Sequence, residues 1–254
     1  GLISSACSDL ALERGLELTL LNRSQSGKYP VPVGAQLLVG DVHGDPAALA
    51  RLLAPLLQDP VRSVRAEAAA RLAGPPARLL GEAQRKAHEA ALREYVEAQR
   101  YMSDLPSGPY NLGNLEVALG RPAEAERRYR RALEIDDQLF LAKANLAMLL
   151  AGQGRTAEAE KLLREAHSVQ PPAASISFDL GLLLAEAGRR DEAEKLLREA
   201  LESDPRMAAA AFNLAVLVGD IGAGKTTLAR RMLDSLPEDR YEAALLVMVH
   251  SGIT

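Results

Sequence analysis

The sequence predicts a mainly α protein, a helical-repeat solenoid with short α/β-like fragments at both ends. Three observations predict it. Aromatic residues make up only 4% of the chain and Trp is missing, while Ala, Leu, Glu and Arg abound, which is the composition of packed helices. A four-residue pattern recurs every 34 residues, as Tyr110-Asn111-Leu112-Gly113, Ala144-Asn145-Leu146-Ala147, Phe178-Asp179-Leu180-Gly181 and Phe212-Asn213-Leu214-Ala215. Outside residues 46–218 helix-like patterning gives way to short apolar runs with strand-like spacing.

Composition narrows the function classes. At 254 residues and 48% hydrophobic content the chain can build a sizeable core. Lys+Arg 30 against Asp+Glu 34 leaves a formal charge of -4, so no global basic field draws in nucleic acid. Cys7 is the only cysteine, which excludes an internal disulfide, a cysteine-based zinc knuckle and a CxxCH haem attachment. No apolar run reaches the roughly 18 residues of a spanning helix, so no membrane partner is expected. The first residues, Gly1 to Cys7, lack the basic flank and apolar stretch of a secretory signal and no initiator Met precedes them. The expectation is a cytoplasmic chain trimmed at its start.

Further positions keep the 34-residue phase: Gly120, Gly154 and Gly188, then Ala125, Ala159 and Ala193, then Ala132, Ala166 and Ala200, and finally Pro171 and Pro205. Small Ala lets two antiparallel helices approach, Gly ends the first helix in a left-handed conformation, and Pro breaks the second. These residues resemble the tetratricopeptide repeat family. Pro109, Lys143, Ser177 and Ala211 depart from it where a large aromatic is commonest, and Asp137 stands where the final Pro is expected. The resemblance implies recognition of a protein or peptide on the concave face built from the first helix of each repeat. The polar row Asn111, Asn145, Asp179 and Asn213 lies there in phase, with Asn114, Met148 and Leu182 one turn further along. Asn side chains can hold a peptide backbone by paired donors and acceptors. The competing reading gives the same row only hydrogen bonds to neighbouring helices. Asp179 argues against an acidic peptide terminus as ligand.

Upstream, Asp59-Pro60-Val61-Arg62-Ser63-Val64-Arg65 with Ala66 to Leu72 resembles a HEAT-type helix pair, in which Asp59 would cap a helix that Val61-Arg62 begins. Glu82 to Met102 reads as a long amphipathic helix with Ala87, Ala91, Tyr95, Ala98 and Met102 on one face. Residues 46–105 are therefore expected to hold HEAT-like and long helices and 106–218 the tetratricopeptide repeats. The whole is similar to solenoids appended to bacterial multihaem cytochromes, without the haem-binding part.

The flanks have another grammar. Residues 1–45 read as a partial Rossmann-like fragment: a helix Ser4 to Arg14, strands Leu16 to Leu21 and Ala35 to Val42, and a polar loop between them. Gly1-Leu2-Ile3-Ser4, Leu20-Leu21-Asn22-Arg23 and Leu38-Val39-Gly40-Asp41 resemble the opening of a nucleoside-sugar epimerase or extended short-chain dehydrogenase, a resemblance that places Arg23 near a 2'-phosphate and Asp41 near adenine. The leading glycine turn and any Tyr-x-x-x-Lys pair are missing, so an NADP-dependent oxidoreductase has neither its cradle nor its proton donor. Residues 219–254 are a P-loop-like fragment or a capping helix. Gly219-Asp220-Ile221-Gly222-Ala223-Gly224-Lys225-Thr226 satisfies the Walker A pattern, in which Lys225 would neutralise phosphate oxygens and Thr226 would hold magnesium, with Val216 to Val218 as the preceding strand. This stretch resembles the start of an AAA-type ATPase, but no apolar strand ending in Asp follows. In the alternative, Gly222 sits in the repeat's turn position, Phe212 to Val218 is helical, and Leu228, Ala229, Met232, Leu233 and Leu236 form the apolar face of a cap.

Gly40-Asp41-Val42-His43-Gly44 spells a metal-binding motif of calcineurin-like phosphoesterases, yet the partner signatures are missing. The plainer reading has Asp41 end a strand and Pro46 open a helix. Cys7 reads as a small apolar helix residue. The functional expectation is a protein-interaction scaffold with no catalytic residues, no cofactor and no metal. Three unrelated family resemblances within one chain also raise the expectation of a composite sequence. The alternatives are an ATP-binding protein using residues 219–226 and an epimerase-like fragment.

Overall fold

The computed structural model describes residues 19–22, 36–39, 46–169 and 172–219. Ten α-helices lie among them, in two compact units that are taken here one at a time. Strand β1 (Thr19–Asn22) pairs in parallel with β2 (Gln36–Val39), Thr19 opposite Gln36 and Asn22 opposite Val39. Both overlap the strands expected in the N-terminal flank. Parallel pairing requires a crossover rather than a tight hairpin, which fits the long polar stretch between them in sequence.

The first unit continues with α1 (Pro46–Leu53), a 3-10 turn over Ala54–Gln58, α2 (Arg62–Arg71), a second 3-10 turn over Pro75–Leu79, and α3 (Glu82–Tyr101) as far as Ala98. Pro46 opens α1 as expected. Alanine makes close approach possible here: Ala50, Ala54, Ala69 and Ala91 share one core with Leu57, Leu72 and Leu80. His88 is buried on the same side of α3, and its Nε2–H donates to the Ala69 carbonyl oxygen at 2.9 Å, so the polar ring atom has a partner. One expectation is corrected. Asp59 does not cap α2, because the residue before that helix is Val61 and makes no side-chain cap bond. The Asp59 carboxylate instead accepts from the Val61 N–H at 2.7 Å, closing an Asx turn two residues on. Arg65 fixes the start of α2, donating to the Asp59 and Pro60 carbonyls and pairing with Glu94 at 2.9 Å.

The second unit runs from Gln99 and holds α4 (Ser107–Ala118, to Val117), α5 (Pro122–Ile135), α6 (Phe140–Gly152), α7 (Thr156–His167), α8 (Ala174–Glu186), α9 (Arg190–Ser203) and α10 (Ala208–Gly219). Helices pack in pairs, α6 on α7 and α8 on α9, and the first helices α6, α8 and α10 touch in succession. The turn inside each pair is set by glycine. Gly154 and Gly188 have φ 78 and φ 77, a left-handed conformation that a Cβ would strain. The following N–H groups of Arg155 and Arg189 reach back to Leu150 and Leu184 carbonyls at 2.9 Å, completing the Schellman closure that the in-phase glycines predict. The in-phase alanines sit where helices meet, with Ala125, Ala132, Ala159, Ala166, Ala193 and Ala200 all at most 1% exposed.

No side-chain oxygen caps α5, α7 or α9, whose N-cap residues are Arg121, Arg155 and Arg189. Those arginines do other work. Arg155 bridges Glu126 of α5 and Glu158 of α7, each at 2.8 Å, and Arg189 bridges Glu160 and Glu192, each at 2.5 Å. Burial pushes the Glu126 and Glu160 carboxyls up, but hydrogen bonds from Arg130 and Arg155, and from Arg164 and Arg189, hold both below the usual carboxylate range. The pairs are largely solvent-facing, so water and salt screen them and they add little to stability.

Ser177 on α8 is an exception to polar bookkeeping among the described residues: it is fully buried and its Oγ has no hydrogen-bond partner. An orphan hydroxyl costs about 1–3 kcal/mol of desolvation. Ser177→Ala is therefore expected to leave urea-denaturation stability unchanged or raise it by up to ~1 kcal/mol. A clear loss would contradict the orphan assignment.

Candidate functional site

The first helices α4 and α6 form a groove of about 600 Å³ lined by Asn114, Val117, Tyr129, Asn145, Met148 and Leu149, with Pro122, Gly152 and Gln153 at its edge. Three of the residues singled out in the sequence, Asn114, Asn145 and Met148, are thus brought together. Spacing explains why: Asn145 and Met148 lie one turn apart on α6, and Asn114 sits on α4 in the phase of Met148.

A network organises its floor. The Tyr129 hydroxyl donates to Asn114 Oδ1 at 2.8 Å, and Asn145 Nδ2 donates to the same oxygen at 2.8 Å and to the Tyr110 hydroxyl at 3.3 Å. Tyr129 is 2% exposed, and burial pushes its phenol up to about 12, opposed by the Asn145 amide and reinforced by Tyr110. It therefore stays a donor at any ordinary pH. Tyr110 and Tyr129 meet with ring centroids 6.1 Å apart, tilted by 44°.

Counting donors and acceptors shows what the network leaves free. Asn114 Oδ1 takes two bonds, and Asn145 Nδ2 spends both hydrogens. Among the described residues, Asn114 Nδ2 and Asn145 Oδ1 then have no partner, and neither is a buried orphan, so both meet solvent at the groove. One donor and one acceptor beside each other match the C=O and N–H of a peptide group. Apolar surface lies next to them, with Met148 42% and Val117 46% exposed.

The rest of the predicted row behaves differently. Asn111 donates to Gln99 Oε1 at 3.0 Å, and Asn213 turns back onto its own helix, donating to the Ala209 carbonyl at 2.8 Å. Asp179 and Leu182 lie half-buried on α8. Interhelical bonding therefore describes Asn111 and Asn145, while Asn213 bonds within its own helix. Sequence inspection missed Tyr129 and Tyr110. The signal was available, since position 129 is in phase with Leu163 and Leu197, and only there does the core position carry a hydroxyl.

A second hollow of about 680 Å³ lies between α7 and α9, lined by charged side chains such as Arg164, His167, Arg198 and Glu199. Those charges satisfy each other: Arg164 with Glu192 at 2.9 Å, His167 Nε2 with Glu199 at 2.8 Å and Arg198 with Glu194 at 2.6 Å. A ligand there would have to break these pairs.

The flanking motifs fare as follows. Asp41, His43 and Arg23 lie outside the described residues, as do Cys7 and residues 220–226 with Lys225 and Thr226. The strand expected at Val216 to Val218 ahead of a phosphate-binding loop is corrected: these residues belong to α10, whose apolar side chains Leu214 and Leu217 pack with Leu197 and Ala200 of α9. A Walker A loop is geared to follow a strand, so the helical reading of Phe212 to Val218 is the one found. Among the described residues there is no cluster of potential metal ligands, and no helix is long and apolar enough to cross a membrane.

Comparison with known proteins identifies the repeating part. Residues 110–135 and 138–206 match tetratricopeptide repeat models. No curated protein matches the sequence. Among solved structures the chain is similar to YrrB, described as a tetratricopeptide repeat protein with an unusual peptide-binding site, at TM-score 0.51 and 21% identity over 80% of this chain and 98% of that one. It is similar to Pseudomonas aeruginosa pilF at TM-score 0.51 and 18% identity, over 75% and 76% of the two chains. MamA gives TM-score 0.50 and 14% identity, over 69% and 99%. At these identities the likeness establishes the fold.

Proposed function

We propose that this chain, whose residues 110–135 and 138–206 are tetratricopeptide repeats, is a protein-interaction scaffold that holds a peptide segment against its first-helix face. The observation that carries this reading is the free amide pair, Asn114 Nδ2 and Asn145 Oδ1, set beside the exposed Met148 and Val117. The pair reads a peptide backbone and the apolar strip takes a side chain. Tyr129 and Tyr110 hold the amides in place, so the ligand meets a site whose geometry is already fixed. In this reading the scaffold performs no catalysis, residues 46–105 act as a HEAT-like support, and the terminal flanks contribute no chemistry to the site.

The test is selection of a displayed random-peptide library on the full chain, followed by fluorescence anisotropy with the enriched peptides. Met148→Glu puts a charge on an already exposed position and is expected to leave the melting curve unchanged while weakening binding at least ~10-fold, about 1.4 kcal/mol. Peptides that bind Met148→Glu as well as they bind the parent chain, or a library that yields no binder, would refute the assignment.

A further inference from the structure

Asp179 occupies in α8 the place that Asn145 occupies in α6, and its surroundings differ in one respect. Asn145 finds hydrogen-bond partners on the preceding first helix, Tyr110 and Asn114. The residues in phase with those two on α6 are Ala144 and Met148, which offer Asp179 no donor. On the other side, the in-phase Asn213 of α10 turns its Nδ2 back to donate to the Ala209 carbonyl of its own helix. Among the described residues Asp179 has neither a hydrogen bond nor an ion pair.

The charge on this face is sparse as well. Lys143, Asp179 and Glu186 are the charged residues of α6, α8 and α10. Lys143 is tied to Glu165 of α7 at 2.9 Å, and Glu186 stands exposed in the last turn of α8. Of the two carboxylates that remain, Asp179 is the half-buried one, and Met148, Leu182 and Val216 form a 34-residue row three positions on from Asn145, Asp179 and Asn213. A carboxylate withdrawn from water without a partner carries a desolvation cost that nothing in the fold returns.

We propose that Asp179 is the selectivity anchor of the first-helix face, pairing with a cationic group, a Lys or Arg side chain, carried by a ligand peptide that is otherwise apolar. Charge complementarity specifies the occupant: Met148, Leu182 and Val216 take apolar side chains, and the unpaired charges left among the described residues of α6, α8 and α10, Asp179 and Glu186, are both negative. An acidic peptide would bring like charge to Asp179 and is rejected. This inference rests on the scaffold reading above and sharpens it from a peptide to a basic-apolar peptide.

The experiment runs the same library selection in parallel on the full chain and on Asp179→Asn. The parent pool is expected to be enriched in Lys or Arg flanked by apolar residues, with that enrichment lost from the Asp179→Asn pool. Replacing the enriched Lys by norleucine in a synthetic binder is expected to weaken anisotropy-measured affinity for the parent chain ~10-fold and to leave affinity for Asp179→Asn unchanged. Binders that show no basic preference, or one that survives Asp179→Asn, overturn the proposal while leaving the scaffold reading intact. A library without binders overturns both. A chain that elutes as a dimer, and as a monomer once Met148→Glu is introduced, would assign the face to a second copy and also overturn it.

Discussion

Gly113→Ala is expected to destabilise the protein by ~3 kcal/mol in urea denaturation, a large effect for one added methyl group. A Cβ on Gly113 would lie 2.5 Å and 2.6 Å from Cε1 and Cδ1 of Tyr129. That ring cannot retreat, because it is 2% exposed and its hydroxyl is held by Asn114. The neighbouring repeats show the same contact solved with other sizes, Ala147 with Leu163 and Gly181 with Leu197. At Gly181 a Cβ would meet Leu197 at 3.2 Å, a tight contact but a softer one, since a Leu branch can shift. The size argument has a sharper consequence. Tyr129→Leu alone loses ring area and the hydroxyl bond, at a cost of ~2–3 kcal/mol. Combined with Gly113→Ala it recreates the Ala–Leu pair of the next repeat, so the double variant is expected to be more stable than the sum of the two losses predicts by at least ~1 kcal/mol. Additive losses would show that Gly113 and Tyr129 do not compensate each other.

That pair also marks where the sequence stops being legible. The 34-residue phase gave the helix pairs, the turn glycines and the buried alanines, because each follows from backbone geometry that repeats with the chain. Side-chain partners do not repeat with it. Asn145 bonds to Asn114 and Tyr110, whereas its in-phase counterparts Asp179 and Asn213 do not bond to the preceding first helix, since the residues facing them change from repeat to repeat. Asp59 failed as a cap for a related reason: a carboxylate before Pro60 can bond one N–H earlier than the helix needs. Val216 to Val218 is the converse case. An apolar β-branched run reads as strand in isolation, and its packing against Leu197 and Ala200 makes it helix. The arginines before α7 and α9 look like broken caps in sequence and become cross-repeat bridges only once the helices are stacked, whereas Arg121 before α5 pairs with Glu116 of its own repeat.

Asp179→Asn is expected to stabilise the protein at neutral pH, by about 1–2 kcal/mol once water at this half-buried site is allowed for, and to do almost nothing near pH 4. Burial raises the Asp179 carboxyl to about 6, and burial is the only cause acting on it. The folded state therefore holds this proton more tightly than the unfolded chain, whose carboxyl titrates near its ordinary 3.8. Stability contributed by the protonated carboxyl is fully present below the unfolded value and is lost as pH rises through about 6. Above that, the folded protein carries an ionised, half-buried carboxylate that Asn does not. Measured as the difference between parent and variant in urea midpoints, the gain should grow between pH 4 and pH 7 and then level off. Other groups titrate in this range, but they are common to both chains and cancel in the difference. A gain that does not vary with pH would mean that shape, not charge, separates the two side chains. A loss at neutral pH would mean that the carboxylate already has a partner and is not waiting for one.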